Sequence, residues 1–310
     1  MSRRRWTRTA DVHPSERRYV ITFGCPDRTG IVARIAGFIA EEGGWIVEAA
    51  YHTDPDTGWF FTRQEVRADS LPYDVDELRE RFGPVAESLG ADEDVEGGAG
   101  GLHWRIDDTG TRRRVVVLVS KEGHCLYDLL GRVAAGELDV DVSAVIGNHD
   151  VLADVTRAHG IPFHHVPFGT DAASKAEAFA RVAEITDAAD PHAIVLARFM
   201  QILPEHLCHA WTGRAINIHH SFLPSFVGAK PYHQAHVRGV KLVGATCHYV
   251  TAELDAGPII EQDVIRVDHG DSIPDMVRKG RDIEKVVLAR GLRWHLENRV
   301  LVHAGRTVVF

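Results

Sequence analysis

Val115-Val116-Val117-Leu118-Val119 is an unbroken apolar run, mostly β-branched, with no polar position to turn toward water. A strand of this kind needs cover on both faces, which is the situation of a parallel strand inside an α/β sheet. Similar runs follow at Val140 to Ile146, Ala193 to Leu196, Ala215 to Ile218 and Leu242 to Tyr249, with helical patterns such as Val151 to His159 and Lys175 to Asp187 between them. The alternation predicts a doubly wound, Rossmann-like α/β domain. It continues with a strand from Pro258 to Val267, a long helix from Ile273 to Leu296 and a closing strand from Val300 to Val302.

Upstream the grammar is different. Tyr19 to Phe23 reads as a strand, Pro26, Asp27 and Gly30 as a turn, and Ile31, Val32, Ile35, Phe38 and Ile39 recur at helical spacing until Gly43-Gly44, which predicts a helix over Ile31 to Glu42. Ile46 to Tyr51 and Trp59 to Val66 flank a turn of Asp54, Pro55, Asp56 and Gly58, a hairpin signal. Val75 to Leu89 is amphipathic, and a strand from Leu102 to Ile106 follows the glycine-rich Gly97 to Gly101. The order β-α-β-β-α-β predicts a small ferredoxin-like domain. The expected organisation is a mobile Arg-rich tail over residues 1–18, a small domain over 19–107, a linker over 108–113 and the α/β domain over 114–310.

With 35 Lys+Arg against 44 Asp+Glu, the net charge of −9 argues against a nucleic-acid surface. Cys25, Cys125, Cys208 and Cys247 form no CxxC pair, as expected of reduced thiols in a cytoplasmic protein. No apolar segment follows the arginines of the tail as a signal peptide requires, and no run is long enough to span a bilayer, so no membrane partner is expected. Among the 19 histidines, His206 with His209 and His233 with His236 have helical i,i+3 spacing but lack a third ligand at motif spacing, and no metal is expected.

Asn217 and His219 lie two apart at the end of a predicted parallel strand, so their side chains share one face, at the edge where α/β sheets bind ligands. Attack on an amide carbonyl needs donors for the developing oxyanion and a group to move protons. Asn217 and His219 can supply the donors. Asp255, in the turn Thr251 to Gly257, is the candidate to orient the attacking water and take its proton.

Ile216-Asn217-Ile218-His219-His220-Ser221-Phe222-Leu223-Pro224, Gly244-Ala245-Thr246 and Glu253-Leu254-Asp255-Ala256-Gly257-Pro258-Ile259-Ile260 together resemble the folate-dependent formyltransferase and formyl hydrolase family. The resemblance implies a formyltransferase fold and a catalytic trio at Asn217, His219 and Asp255. Leu196-Ala197-Arg198-Phe199-Met200-Gln201-Ile202-Leu203 resembles the family's folate-binding loop, which implies roles in folate binding for Arg198, Phe199, Met200, Gln201 and Leu203, with Thr251 added from the Asp255 turn. Phosphoribosyl-amine formyltransferases carry a glycine-rich phosphate loop where this chain has Ser120-Lys121-Glu122-Gly123-His124-Cys125-Leu126, with Gly123 alone. That stretch, Asn148-His149-Asp150 and Phe226-Val227-Gly228-Ala229-Lys230-Pro231-Tyr232-His233 are instead similar to formyltetrahydrofolate deformylases.

This subgroup resemblance implies hydrolysis of 10-formyltetrahydrofolate to tetrahydrofolate and formate, which balances folate pools and supplies formate, for purine synthesis among other uses. It implies second-site or water-positioning roles for Lys121, His124, Asn148 and Lys230, no cofactor beyond the folate substrate, and a homo-oligomer. The N-terminal domain would be of the ACT type, with an amino-acid effector bound around Asp27, Arg28, Thr29, Gly30 and Ile31, where a loop leads into the positive end of a helix. Asp27 and Thr29 could equally serve as caps of that helix. Rival readings are a formyltransferase acting on an amine and an inactive amino-acid sensor; the single glycine after Val119 weighs against the first and the intact trio against the second.

Overall fold

The structure is a computed structural model describing residues 16–90, 92–93, 103–225 and 231–310. Most of the Arg-rich tail, the glycine-rich Gly97 to Gly101, Leu102 and Lys230 lie outside the described residues. The chain divides into two compact units, with the change between Thr111 and Arg112.

The first unit runs β1 (Arg18–Pro26), α1 (Ile31–Glu41), β2 (Ile46–Asp54), β3 (Trp59–Arg67), α2 (Val75–Ser88), β4 (Asp92–Glu93) and β5 (His103–Asp108). Its sheet order is β2-β3-β1-β5-β4, with β1 central and antiparallel to both β3 and β5. Helix α1 buries Ile31, Ile35, Phe38 and Ile39, the helical stripe read from the sequence, whereas Val32 is exposed. Helix α2 starts at Asp74, whose carboxylate accepts from the amides of Asp76 and Glu77. Between the helices and the sheet, Phe82 meets Phe23, Phe38 and Trp104 edge to face. β4 is too short to show in hydrophobic periodicity.

The second unit runs β6 (Arg113–Val119), α3 (His124–Ala135), β7 (Val140–Gly147), α4 (Ala153–Ala158), β8 (Phe163–His165), α5 (Ala172–Ala189), β9 (Ala193–Ala197), α6 (Glu205–Ala210), β10 (Ala215–His219), α7 (Pro231–Val237), β11 (Leu242–Tyr249), β12 (Ile259–Arg266), α8 (Ile273–Leu296), β13 (Val300–His303) and β14 (Arg306–Val309). Residues 108 and 113, expected in a linker, are the last of β5 and the first of β6.

Seven strands form one sheet in the order β12-β11-β10-β9-β6-β7-β8. β6 sits near its middle, and its apolar run divides as two-sided cover requires. Val115, Val117 and Val119 pack in a layer with α3 and α8, while Val116 and Leu118 pack with α5 on the other face.

The sheet is mixed. β8, β7, β6, β9 and β10 are mutually parallel, but β11 is antiparallel to β10 and β12 to β11. For the last pair the reason is length: the stretch between Tyr249 and Ile259 is shorter than the dozen or so residues a parallel crossover needs. The strand expected to close the sheet at Val300 to Val302 instead forms a separate two-stranded hairpin with β14. Among the described residues no helix is long and apolar enough to cross a membrane.

Candidate active site

β10 carries Ile216 and Ile218 into the core on one face and Asn217 and His219 on the other. Asn217 Nδ2 lies 3.1 Å from His248 Nε2, and His248 Nδ1 lies 2.8 Å from the Tyr249 carbonyl oxygen. A carbonyl only accepts, so Nδ1 of His248 carries the proton and Nε2 the lone pair, to which Asn217 donates one amide hydrogen. The amide is thereby oriented, and its second N–H is left for a reactant. Burial holds His248 below the usual imidazole range, which keeps it in the neutral form this pairing requires.

His219 is buried, with Nδ1 at 3.3 Å from Asp255 Oδ1. The same oxygen is 3.8 Å from His248 Nε2, so Asn217, His219, His248 and Asp255 form one cluster. Hydrogen bonding from His219 holds the Asp255 carboxyl below its ordinary value against the opposing effect of burial. On its other side, His219 Nε2 is buried and has no hydrogen-bond partner among the described residues. A buried polar atom is ordinarily paired, and an unpaired one needs a reason.

The motif residues around these groups fasten the loops. Thr246, fully buried, donates its hydroxyl to the Ser221 carbonyl and accepts from the Leu223 amide and Gln262 Nε2, tying the segment after β10 to β11 and β12. The Asp255 turn leaves β11 with the Val250 amide bonded to the Ala215 carbonyl and returns with the Tyr249 amide bonded to the Pro258 carbonyl. Glycine is required at 257, because a Cβ there would lie 1.8 Å from the Tyr249 oxygen. Asp255 itself has φ 55°, a left-handed conformation that Asp tolerates better than most residues.

Next to the cluster stands a second group of polar side chains. The His220 ring is 5.1 Å from that of His219 and 6.3 Å from that of Tyr232. Burial, followed by the charge of Arg198, pushes His220 down to about 4. Glu284 of α8 bonds to His124 and Tyr232, with Arg198 beside it. His124, Cys125 and Glu284 have potential ligand atoms within 4.8 Å of one another, but burial raises the Cys125 thiol well above its usual value and Glu284 already has two hydrogen-bond donors and the charge of Arg198. That donor set fits a proton and charge network better than a metal ion.

The other expected residues are dispersed. Phe199 and Leu203 point into the core, Phe199 edge-on to Phe168, and so offer little side-chain surface to a ligand. Met200 is exposed, with its amide bonded to Ser120 Oγ, and Gln201 is half-buried. Thr251 caps its own turn by donating to the Glu253 carbonyl. Lys121 is exposed and Asn148 buried, with Asn148 Oδ1 lacking a partner among the described residues. Asp27, Arg28, Thr29 and Gly30 are exposed, and Ile31 is buried in the first unit's core. Neither Asp27 nor Thr29 caps α1: its N-cap is Gly30, in the left-handed region and without a side-chain cap bond. The histidine pairs 206/209 and 233/236 are exposed on short helices. Sequence reasoning missed His248, which lies within the motif region, and Glu284, a carboxylate in the apolar stripe of α8.

A family model described as Formyl transferase matches residues 113–292, which gives the second unit its class. A formyltetrahydrofolate deformylase from a Corynebacterium species is 44% identical over 292 residues, covering 94% of this chain and 98% of the relative. The crystal structure of a formyltetrahydrofolate deformylase from Pseudomonas syringae pv. tomato superposes with a TM-score of 0.89 at 55% identity, covering 95% of this chain and 94% of that one. The glycinamide ribonucleotide transformylase 1 of Symbiobacterium toebii matches at a TM-score of 0.61 and 28% identity, covering 66% of this chain and 98% of its own. The chain belongs to the formyltetrahydrofolate deformylase family.

Proposed function

We propose that the protein hydrolyses 10-formyltetrahydrofolate to tetrahydrofolate and formate, with the reaction at Asn217, His219 and Asp255. The observation that carries this reading is that His219 Nε2, buried and without a hydrogen-bond partner among the described residues, shares a strand face with Asn217, whose second amide N–H has no partner among them either. A formyl oxygen between the two would receive two hydrogen bonds as it gains charge. Asp255, with one oxygen turned to His219, has the other for water. As the water oxygen bonds to the formyl carbon, its proton passes into the Asp255–His219 pair and then to the departing folate nitrogen. Cleavage of the carbon–nitrogen bond leaves formate. The folate enters as substrate and no separate cofactor takes part. Four buried, unbridged cysteines suit a reducing cytoplasm.

The first unit is read as an ACT-like regulatory domain of a homo-oligomer. In support of this, its sheet order is the ferredoxin-like one, and the exposed loop from Asp27 to Gly30 leads to a helix N-terminus with no side-chain cap. Calorimetry with glycine, methionine and serine tests it, and absence of heat from all three, with unchanged turnover, would reduce this unit to an assembly role. For the reaction itself, purified protein given 10-formyltetrahydrofolate and no amine should release formate and tetrahydrofolate in equal amounts. A requirement for an amine would make the protein a transferase.

A further inference from the structure

Glu284 is the most deeply buried carboxylate among the described residues, with 1% of its surface exposed. It lies on α8 in the stripe of Met276, Gly280, Val287 and Leu288, which are likewise buried. Both of its oxygens are engaged. Oε2 is 2.8 Å from His124 Nε2 and 3.5 Å from Arg198 Nε, and Oε1 accepts from the Tyr232 hydroxyl at 3.0 Å. Burial, the largest influence on this carboxyl, would raise it, but the His124 bond and the Arg198 charge prevail and hold it below its ordinary value.

These three partners, two hydrogen-bond donors and the Arg198 charge, come from separate segments: the first turn of α3, helix α7 and the residue after β9. A buried charge that loses its partners is costly, so an ionised Glu284 resists the departure of any one of them. Gly280 provides an independent sign that the arrangement is built into the helix. A Cβ at Gly280 would lie 1.9 Å from the Tyr232 hydroxyl oxygen, so only glycine leaves room for Tyr232 to reach Glu284 one turn further on. The network touches the reacting cluster through His220, which lies between the rings of Tyr232 and His219.

We propose that Glu284 is a positioning residue for hydrolysis: its carboxylate holds Tyr232, His124 and Arg198 as one wall that keeps His220 against His219. Glu284 acts through these side chains and not on the formyl group. The inference rests on Asn217, His219 and Asp255 being the reacting centre.

The test compares Glu284→Gln, Tyr232→Phe, Gly280→Ala and the double variant Glu284→Gln/Tyr232→Phe, with Asp255→Asn as a control, by steady-state kinetics on 10-formyltetrahydrofolate and by thermal melting. Displacement of reacting groups by about an ångström can cost on the order of a hundredfold, so Glu284→Gln should lower kcat at least about tenfold while KM changes less than about threefold. Tyr232→Phe and Gly280→Ala should each lower kcat about threefold or more. In the Glu284→Gln background, Tyr232→Phe should cost no more than about twofold further, because the link is already cut.

Glu284→Gln within twofold of the parent, a loss confined to KM, or losses that multiply in the double variant would each overturn the proposal. If Glu284→Gln does not fold, Tyr232→Phe and Gly280→Ala decide it, since both keep the charge; kcat within twofold of the parent for both would refute it. An inactive Asp255→Asn beside an unaffected Glu284→Gln sinks this inference alone, whereas an active Asp255→Asn sinks the reading of the trio beneath it.

Discussion

Replacing Asn217 by alanine removes two donors that do different work. One amide hydrogen goes to His248 Nε2 at 3.1 Å, and the other is the candidate donor to the oxyanion. Loss of one preorganised oxyanion donor costs about 10²–10³ in kcat, or about 2.7–4 kcal/mol of transition-state stabilisation. KM should change little, because the ground-state carbonyl carries less charge than the oxyanion. The lost bond to the buried His248 acts on stability instead. Leaving a buried polar atom without its partner costs about 1–3 kcal/mol, and for a unit of this size each kcal/mol lowers the melting midpoint by roughly 2–4 °C. Steady-state kinetics well below the midpoint, with a melting curve of the same sample, separate the two effects. A kcat within tenfold of the parent, or a loss carried wholly by KM, would remove Asn217 from the oxyanion site.

Asp255→Asn keeps the side-chain outline but cannot accept a proton, and kcat should fall by about 10²–10⁴; turnover within tenfold of the parent would contradict its role. Since the Asp255 carboxyl is lowered in the fold, its contribution to stability is complete above the ordinary carboxylate value of about 3.9 and is lost as pH falls through the lower folded value. The difference in melting midpoint between the parent and Asp255→Asn should therefore change as pH falls below about 4; a difference unchanged between about pH 5 and about pH 2 would refute the assignment. Gly257→Ala places a Cβ against the Tyr249 oxygen and should cost at least about 2 kcal/mol, read as a midpoint lowered by roughly 4–8 °C. Chelators should leave turnover unchanged, and loss on chelation with recovery on adding zinc would bring His124, Cys125 and Glu284 back as ligands.

What could be read in advance followed the strength of each local signal. The run from Val115 to Val119 has one stable use, and its side chains divide between two covered layers accordingly. The i,i+2 relation of Asn217 and His219 places both on one face as soon as the strand forms. Strand direction was less legible: apolar runs do not encode it, and the antiparallel course of β11 and β12 depends on how their connections fold. β8, with three residues, is too short for periodicity to register. Phe199 and Leu203 show the converse, since a loop that resembles a ligand-binding one also has to anchor itself in the core.

Glu284 carried a signal that could have been used. It falls four residues after Gly280 and four before Leu288, in the buried register of α8, where a carboxylate has to find partners. Which partners it finds is a tertiary matter, because His124, Arg198 and Tyr232 come from distant segments. His248 was hidden for a similar reason: one more polar residue in an apolar strand gains meaning only from the register that pairs it with Asn217.

Turnover of 10-formyltetrahydrofolate in water enriched in oxygen-18, with no amine present, distinguishes water from every other acceptor of the formyl group. Mass spectrometry should find formate carrying one oxygen from the solvent, formed in step with tetrahydrofolate by the parent and nearly absent with Asp255→Asn. Intact substrate, or a formyl group recovered only on an added amine, would contradict hydrolysis at the Asn217, His219 and Asp255 cluster.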